Sequence, residues 1–249
     1  GPIADPAARG EAVLSILHRE TLVAYEADAT TLDLALDQGR YNCVSSALLY
    51  MIAARRLGLE VVGVRTQDHA LCVLRLPATG RAEAKEIDIE TTNRYGFDPG
   101  DKKEFKDSFG RVTGYAYTPP GEYSKREKVE DRSFVGLVLT NRASILERRG
   151  RYREALRLGV DLAALLPGPE SAAFLLDRVN NVVADRSRRG DYAGAKAFAE
   201  ASLAKLGESP RLVELYRSAA LNEATALAQA GRWESSLDAA EALAGGTSP

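Results

Sequence analysis

The chain has 249 residues, 45% hydrophobic and 27% charged, the balance of an ordinary globular protein with enough core material for one large domain or two small ones. Its 33 Lys and Arg nearly offset its 35 Asp and Glu, for a formal net charge of -2, and no basic stripe is interleaved with aromatics, so nucleic acid and anionic membranes are not favoured partners. Two cysteines are too few for a disulfide framework, and no apolar run approaches the ~18 to 20 residues that span a bilayer.

The opening "GPIADPAARG" lacks a hydrophobic signal core, and its Gly-Pro reads as the scar of a cleaved purification tag. The expected location is therefore either cytoplasmic or exported with the signal trimmed away. From about Ile3 to Leu57 the pattern is helical. "AVLSILHRETLVAYEA" spaces apolar residues at three and four, "TTLDLALDQG" reads as a short helix capped by Thr30 or Thr31 and closed by Gly39, and "NCVSSALLYMIAARRLG" forms a third helix stopped at Gly58. "EVVGVRT", "HALCVLRL" and "AKEIDIET" are short, β-branched-rich strands, with "PATGRAE" as a hairpin connection. Thr91 to Asp131 is long, polar and rich in turn residues, which predicts a functional or flexible loop, with "RVTGYAY" as a further strand.

Beyond Ser133 the sequence is helical and repeats. Asn141, Asn181 and Asn222 each precede a glycine (Gly150, Gly190, Gly231) by nine residues. An aromatic follows two later (Tyr152, Tyr192, Trp233), and a small residue three after that (Ala155, Ala195, Ser236). This pattern predicts helical hairpins: Gly turns the chain, the aromatic wedges between helices, and the small residue permits close packing. It resembles the tetratricopeptide repeat, with a period of 40 to 41 residues in place of ~34. The predicted domains are 1–132 and 133–249.

The chemistry concentrates in the first half. Cys43 falls in the first turn of its helix, where unpaired N–H groups and the helix dipole favour a thiolate. His69 opens the second strand, and Asp88 lies on the strand paired with it. A helix N-terminus packed on that sheet would align thiol, imidazole and carboxylate as nucleophile, base and orienter. Glu86 and Glu90 share the face of Asp88, so alternation alone does not select the carboxylate.

"YNCVSSALLYMIAARRLGL", "GVRTQDHALCVL" and "EIDIETT" together resemble the transglutaminase-like, papain-related core, over about Leu32 to Asn93. The whole chain resembles bacterial proteins that join such a core to tetratricopeptide-like helices. The resemblance implies an α+β core of helices on a small antiparallel sheet followed by an all-α domain. It also implies amide acyl transfer through a thioester, with Cys43 as nucleophile, His69 as general base and acid, and Asp88 as orienter. The family holds proteases, cross-linkers, deamidases and inactive members. Val44 stands where its better-known enzymes often carry Trp, which counts against cross-linking. The backbone N–H of Cys43 and the amides of Gln38 and Asn42 are the candidate oxyanion donors, with Tyr41 a further one.

The remaining candidates read as structural. Cys72 lies three residues from His69, so alternation turns it into the strand core, although a bridge to Cys43 remains compatible with the sequence. His18 lacks a thiol or acidic partner nearby and is expected on a helix surface. No CxxC or HxxxH anchors a metal, and no phosphate or dinucleotide fingerprint appears, so no metal or cofactor is called for. Arg148, Arg149, Arg151, Arg188 and Arg189 would suit an acidic peptide or form a solvated face. The sequence thus predicts thiol-dependent cleavage of a protein or peptide substrate, with the repeats holding that substrate or a protein partner. The competing expectation is an inactive scaffold that serves as a protein-interaction module.

Overall fold

The computed structural model describes residues 3–78, 80, 83–100, 102–114 and 125–244. The protein is α+β, and its chain divides into two compact units, 1–145 and 146–249.

In the first unit, helix α1 (Pro6–Glu20) is followed by β1 (Ala24–Tyr25), α2 (Leu32–Gln38), β2 (Arg40–Tyr41) and α3 (Cys43–Arg56). Four strands form an antiparallel sheet: β3 (Glu60–Arg65), β4 (Ala70–Leu76), β5 (Lys85–Ile89) and β6 (Glu127–Val129), in the order β5-β4-β3-β6. Helix α3 packs on β3 and β4, and α1 packs on α3 and β4. Val44, Ala47, Met51 and Ala54 repeat at helical spacing and are buried, together with Tyr50. Ala70, Cys72 and Leu74 of β4 join the same core, whereas Leu71 and Val73 are buried with Val64 in a separate cluster. Being covered on both faces, β4 reads as the unbroken apolar run "ALCVL" rather than as an alternation.

Two expectations in this unit are corrected. The segment Thr91–Asp131 is not simply a loop: it contains α4 (Lys103–Thr113), with Phe105 and Phe109 buried one turn apart, and β6. Arg111, Val112 and Thr113, expected in a strand, close α4 before the left-handed Gly114; the rest of "RVTGYAY" lies outside the described residues, as does part of "PATGRAE". The first-helix pattern also stops early. Helix α1 ends at Glu20, and Ala24 and Tyr25 pair in parallel with Arg40 and Tyr41.

Helix α5 (Asp131–Arg148) begins in the first unit, where Phe134 is fully buried in the core with Leu137 and Val138 packed beside it. Gly63 makes room for that ring: a Cβ there would stand 2.2 Å from Phe134 Cδ2. The division therefore falls within α5, after Ile145, rather than at residue 132.

The second unit carries the end of α5, then α6 (Tyr152–Leu165), α7 (Pro169–Arg188), α8 (Tyr192–Leu206), α9 (Pro210–Gln229) and α10 (Trp233–Ala244). Gly150, Gly190 and Gly231 are left-handed at the hairpin turns, with φ of 71°, 77° and 76°. Ala155 and Ala195 are fully buried, and Ser236 Oγ donates to the Ala224 carbonyl at 2.8 Å across the α9–α10 hairpin. The aromatic wedge fails at Trp233, which is 66% exposed. Tyr152 shows what a covered aromatic has: Arg188, from the end of α7 in the next hairpin, lies 5.4 Å over its ring.

Candidate active site

Asn42 ends the extended backbone of β2 and caps α3 by a reciprocal pair of hydrogen bonds. Its Oδ1 accepts from the amides of Val44 (3.0 Å) and Ser45 (3.1 Å), and Ser45 Oγ accepts from the Asn42 amide at 2.9 Å. Cys43 is consequently the first helical residue, half-buried, with its thiol free. His69 is set by the tight β3–β4 turn, in which Thr66 N donates to the His69 carbonyl at 2.9 Å and His69 N donates to Thr66 Oγ1 at 3.1 Å.

The structure makes Cys43 and His69 electrostatic neighbours, the thiol being one of the groups that hold the imidazole's pKa up. The carboxylate beneath the imidazole is that of Glu90, whose Oε2 lies 2.6 Å from His69 Nε2. With Nε2 committed to Glu90, Nδ1 is the nitrogen left for the thiol. Asp88 is not brought into this group. In the observed register it stands opposite Val73, four residues and so about 13 Å along β4 from His69. It pairs instead with Arg126, in a two-pronged ion pair with one contact at 3.1 Å. Strand β5 ends at Ile89, so the alternation that placed Glu86, Asp88 and Glu90 together no longer governs Glu90, which turns into the interior.

Glu90 is 2% exposed and His69 14%. Burial opposes charge on both, but the ion pair outweighs it. The charge of Glu90, then the neighbouring Cys43 thiol and the hydrogen bond that His69 makes to Glu90, hold His69 well above its ordinary value, and His69 and Thr92 hold Glu90 below its own. Thr92 occupies the second oxygen, its amide and hydroxyl donating to Glu90 Oε1 at 3.1 and 2.7 Å. The chain then folds back on itself: Glu90 N donates to the Gly96 carbonyl at 2.8 Å, and Gly96 N donates to that of Asn93 at 3.0 Å. A Cβ on Gly96 would lie 1.9 Å from the Glu90 carbonyl oxygen, so only glycine fits this return. Phe109 of α4 presents its ring edge-on to His69 at 6.1 Å, which places part of the expected loop against the imidazole.

The side-chain oxyanion candidates are engaged elsewhere. Asn42 is consumed by the cap, and its Nδ2 donates to the Ala27 carbonyl at 3.0 Å. Gln38, at the exposed end of α2, accepts from Arg40 Nη1 at 3.2 Å. The Tyr41 hydroxyl donates to the Thr92 carbonyl at 3.1 Å, and burial, then the charge of Glu90, pushes its phenol up to about 12. The backbone N–H of Cys43 is the first-turn donor that the cap does not use.

Cys72 is fully buried, its Sγ 3.4 Å from the Ala47 carbonyl, and both cysteines are free thiols. His18 is not a surface residue. Its ring is half-buried edge-on to Tyr41, its Nε2 lies 3.0 Å from the Thr91 carbonyl, and burial pushes its pKa down. Sequence gave no sign of this contact, because the acceptor is a backbone carbonyl 73 residues away. Among the arginines of the repeats, Arg151 pairs with Glu154, and Arg188 and Arg189 pair with Asp185. Among the described residues no group of three or more His, Cys, Asp or Glu side chains could hold a metal, and no helix is long and apolar enough to cross a membrane. No family model, curated protein or solved structure matches the chain.

Proposed function

We propose that the protein is a thiol-dependent amide acyl transferase, acting by hydrolysis of a peptide bond, built on a transglutaminase-like, papain-related core. The observation that carries this reading is an imidazole whose Nε2 is 2.6 Å from a buried carboxylate and whose electrostatic neighbour is a half-buried thiol at a helix N-terminus. The triad is Cys43, His69 and Glu90. His69 Nδ1 takes the Cys43 proton, and the thiolate attacks the substrate carbonyl. The Cys43 N–H faces the developing oxyanion, and His69 returns the proton to the leaving amine. Water, deprotonated by His69, then resolves the thioester and releases the acid. Glu90 holds the ring and stabilises the imidazolium, as an orienting carboxylate must.

The helical repeats are assigned to holding substrate or a partner protein. A shallow cavity of about 450 Å³ lies at the C-terminal part of α8, lined by Ala197, Ala201 and Ala204 with Glu200 and Glu208. The competing reading is an inactive scaffold, and it rests on the engagement of Asn42 and Gln38 outside an oxyanion hole. Digestion of a proteome-derived peptide library separates the two. New termini are expected with the wild type and should be absent with Cys43→Ser and His69→Ala. Termini that persist in Cys43→Ser, or none with any form, would remove the enzyme reading.

A further inference from the structure

Thr91 lies directly after Glu90 and is completely buried. Its hydroxyl hydrogen-bonds Ser46 Oγ at 2.9 Å, and its carbonyl is met by His18 Nε2 at 3.0 Å. Ser46 is also fully buried and stands one helical turn beyond Cys43, on the same side of α3, with its Oγ 3.4 Å from the Cys43 carbonyl. The first turn of α3, which carries the thiol, is thereby tied by one interior hydrogen bond to the residue that follows the carboxylate. Neighbouring anchors act on the same short segment: Tyr41 holds the Thr92 carbonyl, and Thr92 holds Glu90 Oε1.

We propose that Thr91 is a positioning residue for the Cys43–His69 pair. Through Ser46 it fixes the helix head that bears the thiol, and through its own backbone it fixes Glu90 under the imidazole. The proposal rests on the Cys–His–Glu reading given above. A purely structural hydroxyl pair would affect stability alone, because two buried polar groups that satisfy each other add little beyond avoiding the cost of unpaired ones. A positioning strut would also change how strongly His69 activates the thiol, since a misplaced hydrogen bond weakens the ion pair it orients.

The test is the pH profile of Cys43 alkylation by iodoacetamide in the full chain, with Cys72→Ala throughout. Thr91→Val keeps the side-chain shape and removes the hydroxyl; Thr91→Ser keeps the hydroxyl. Thr91→Val and Ser46→Ala should each lower the His69-dependent rate near pH 6 at least threefold. Their double variant should lose no more than either alone, and Thr91→Ser should stay within twofold of wild type. A Thr91→Val profile that superimposes on wild type, or a Thr91→Ser loss as large as that of Thr91→Val, overturns the strut while leaving the triad standing. A wild-type profile indifferent to His69→Ala would bring down both.

Discussion

Glu90 is a carboxylate with almost no exposure whose oxygens are fully used, one by His69 and the other by Thr92. Removing its charge leaves the ring hydrogen-bonded but takes away the partner that favours the imidazolium. Glu90→Gln should slow Cys43 alkylation near pH 6 by at least tenfold, or about 1.4 kcal/mol in barrier. Asp88→Asn should leave that rate unchanged, because Asp88 is tied to Arg126. The same pair sets a pH dependence of stability. His69 is raised, so its contribution is complete below its ordinary 6.5 and is lost as pH rises through the elevated value. Glu90 is lowered, so its contribution is complete above its ordinary 4.5 and is lost as pH falls through the depressed value. The difference in Tm between wild type and Glu90→Gln should be largest between those two ordinary values and narrow at alkaline pH. A difference that grows toward pH 9 would contradict the ion pair. At this scale the placement of Cys43 at a helix head and of His69 at a strand start was legible in the sequence. The carboxylate was not, because "EIDIE" offers three acids on one face and only the register and the end of β5 choose among them.

Two elements hold the site, the capped start of α3 and the closed return from Glu90 to Gly96. Asn42→Ala removes the acceptor of two first-turn amides and should cost roughly 1–2 kcal/mol in urea denaturation, with Asn42→Ser recovering most of it. Gly96→Ala forces a Cβ against the Glu90 carbonyl, and the overpacking should cost roughly 3 kcal/mol. The Gly96→Ala variant should also lose thiol reactivity, because the backbone that must move is that of Glu90 itself. Helix α3 and strands β3 and β4 could be read from the chain because apolar spacing, the Gly58 stop and β-branched runs agree locally, whereas the Asn42 cap was missed. Helix α4 could not. "FDPGDKKEF" opens with turn residues, and only Phe105 and Phe109 mark a helical face in a strongly polar segment.

Across the chain, the hairpin turns followed from the recurring glycines, whose left-handed conformations carry the frame from Gly150 to Gly231. The division between units did not follow, since it depends on Phe134 filling space above Gly63 on a strand some 70 residues earlier. Within the second unit, Arg178 is buried against Glu147 at 3.2 Å, with its guanidinium 3.4 Å over the Phe174 ring, and Asn181 donates to the other Glu147 oxygen at 2.8 Å. These contacts join the end of α5 to α7. Glu147→Ala leaves the buried Arg178 only the longer 3.8 Å contact with Asp177 and should destabilise the repeats by roughly 3 kcal/mol, read by urea denaturation. A loss below about 0.5 kcal/mol would show the pair to be as weak as an exposed one.

The central claim is that His69 activates Cys43, and the pH dependence of Cys43 alkylation tests it most directly, in a Cys72→Ala background with and without His69→Ala. The account predicts alkylation of Cys43 near pH 6 that slows at least tenfold when His69 is replaced. A rate indifferent to His69→Ala would contradict it and leave the first unit a scaffold.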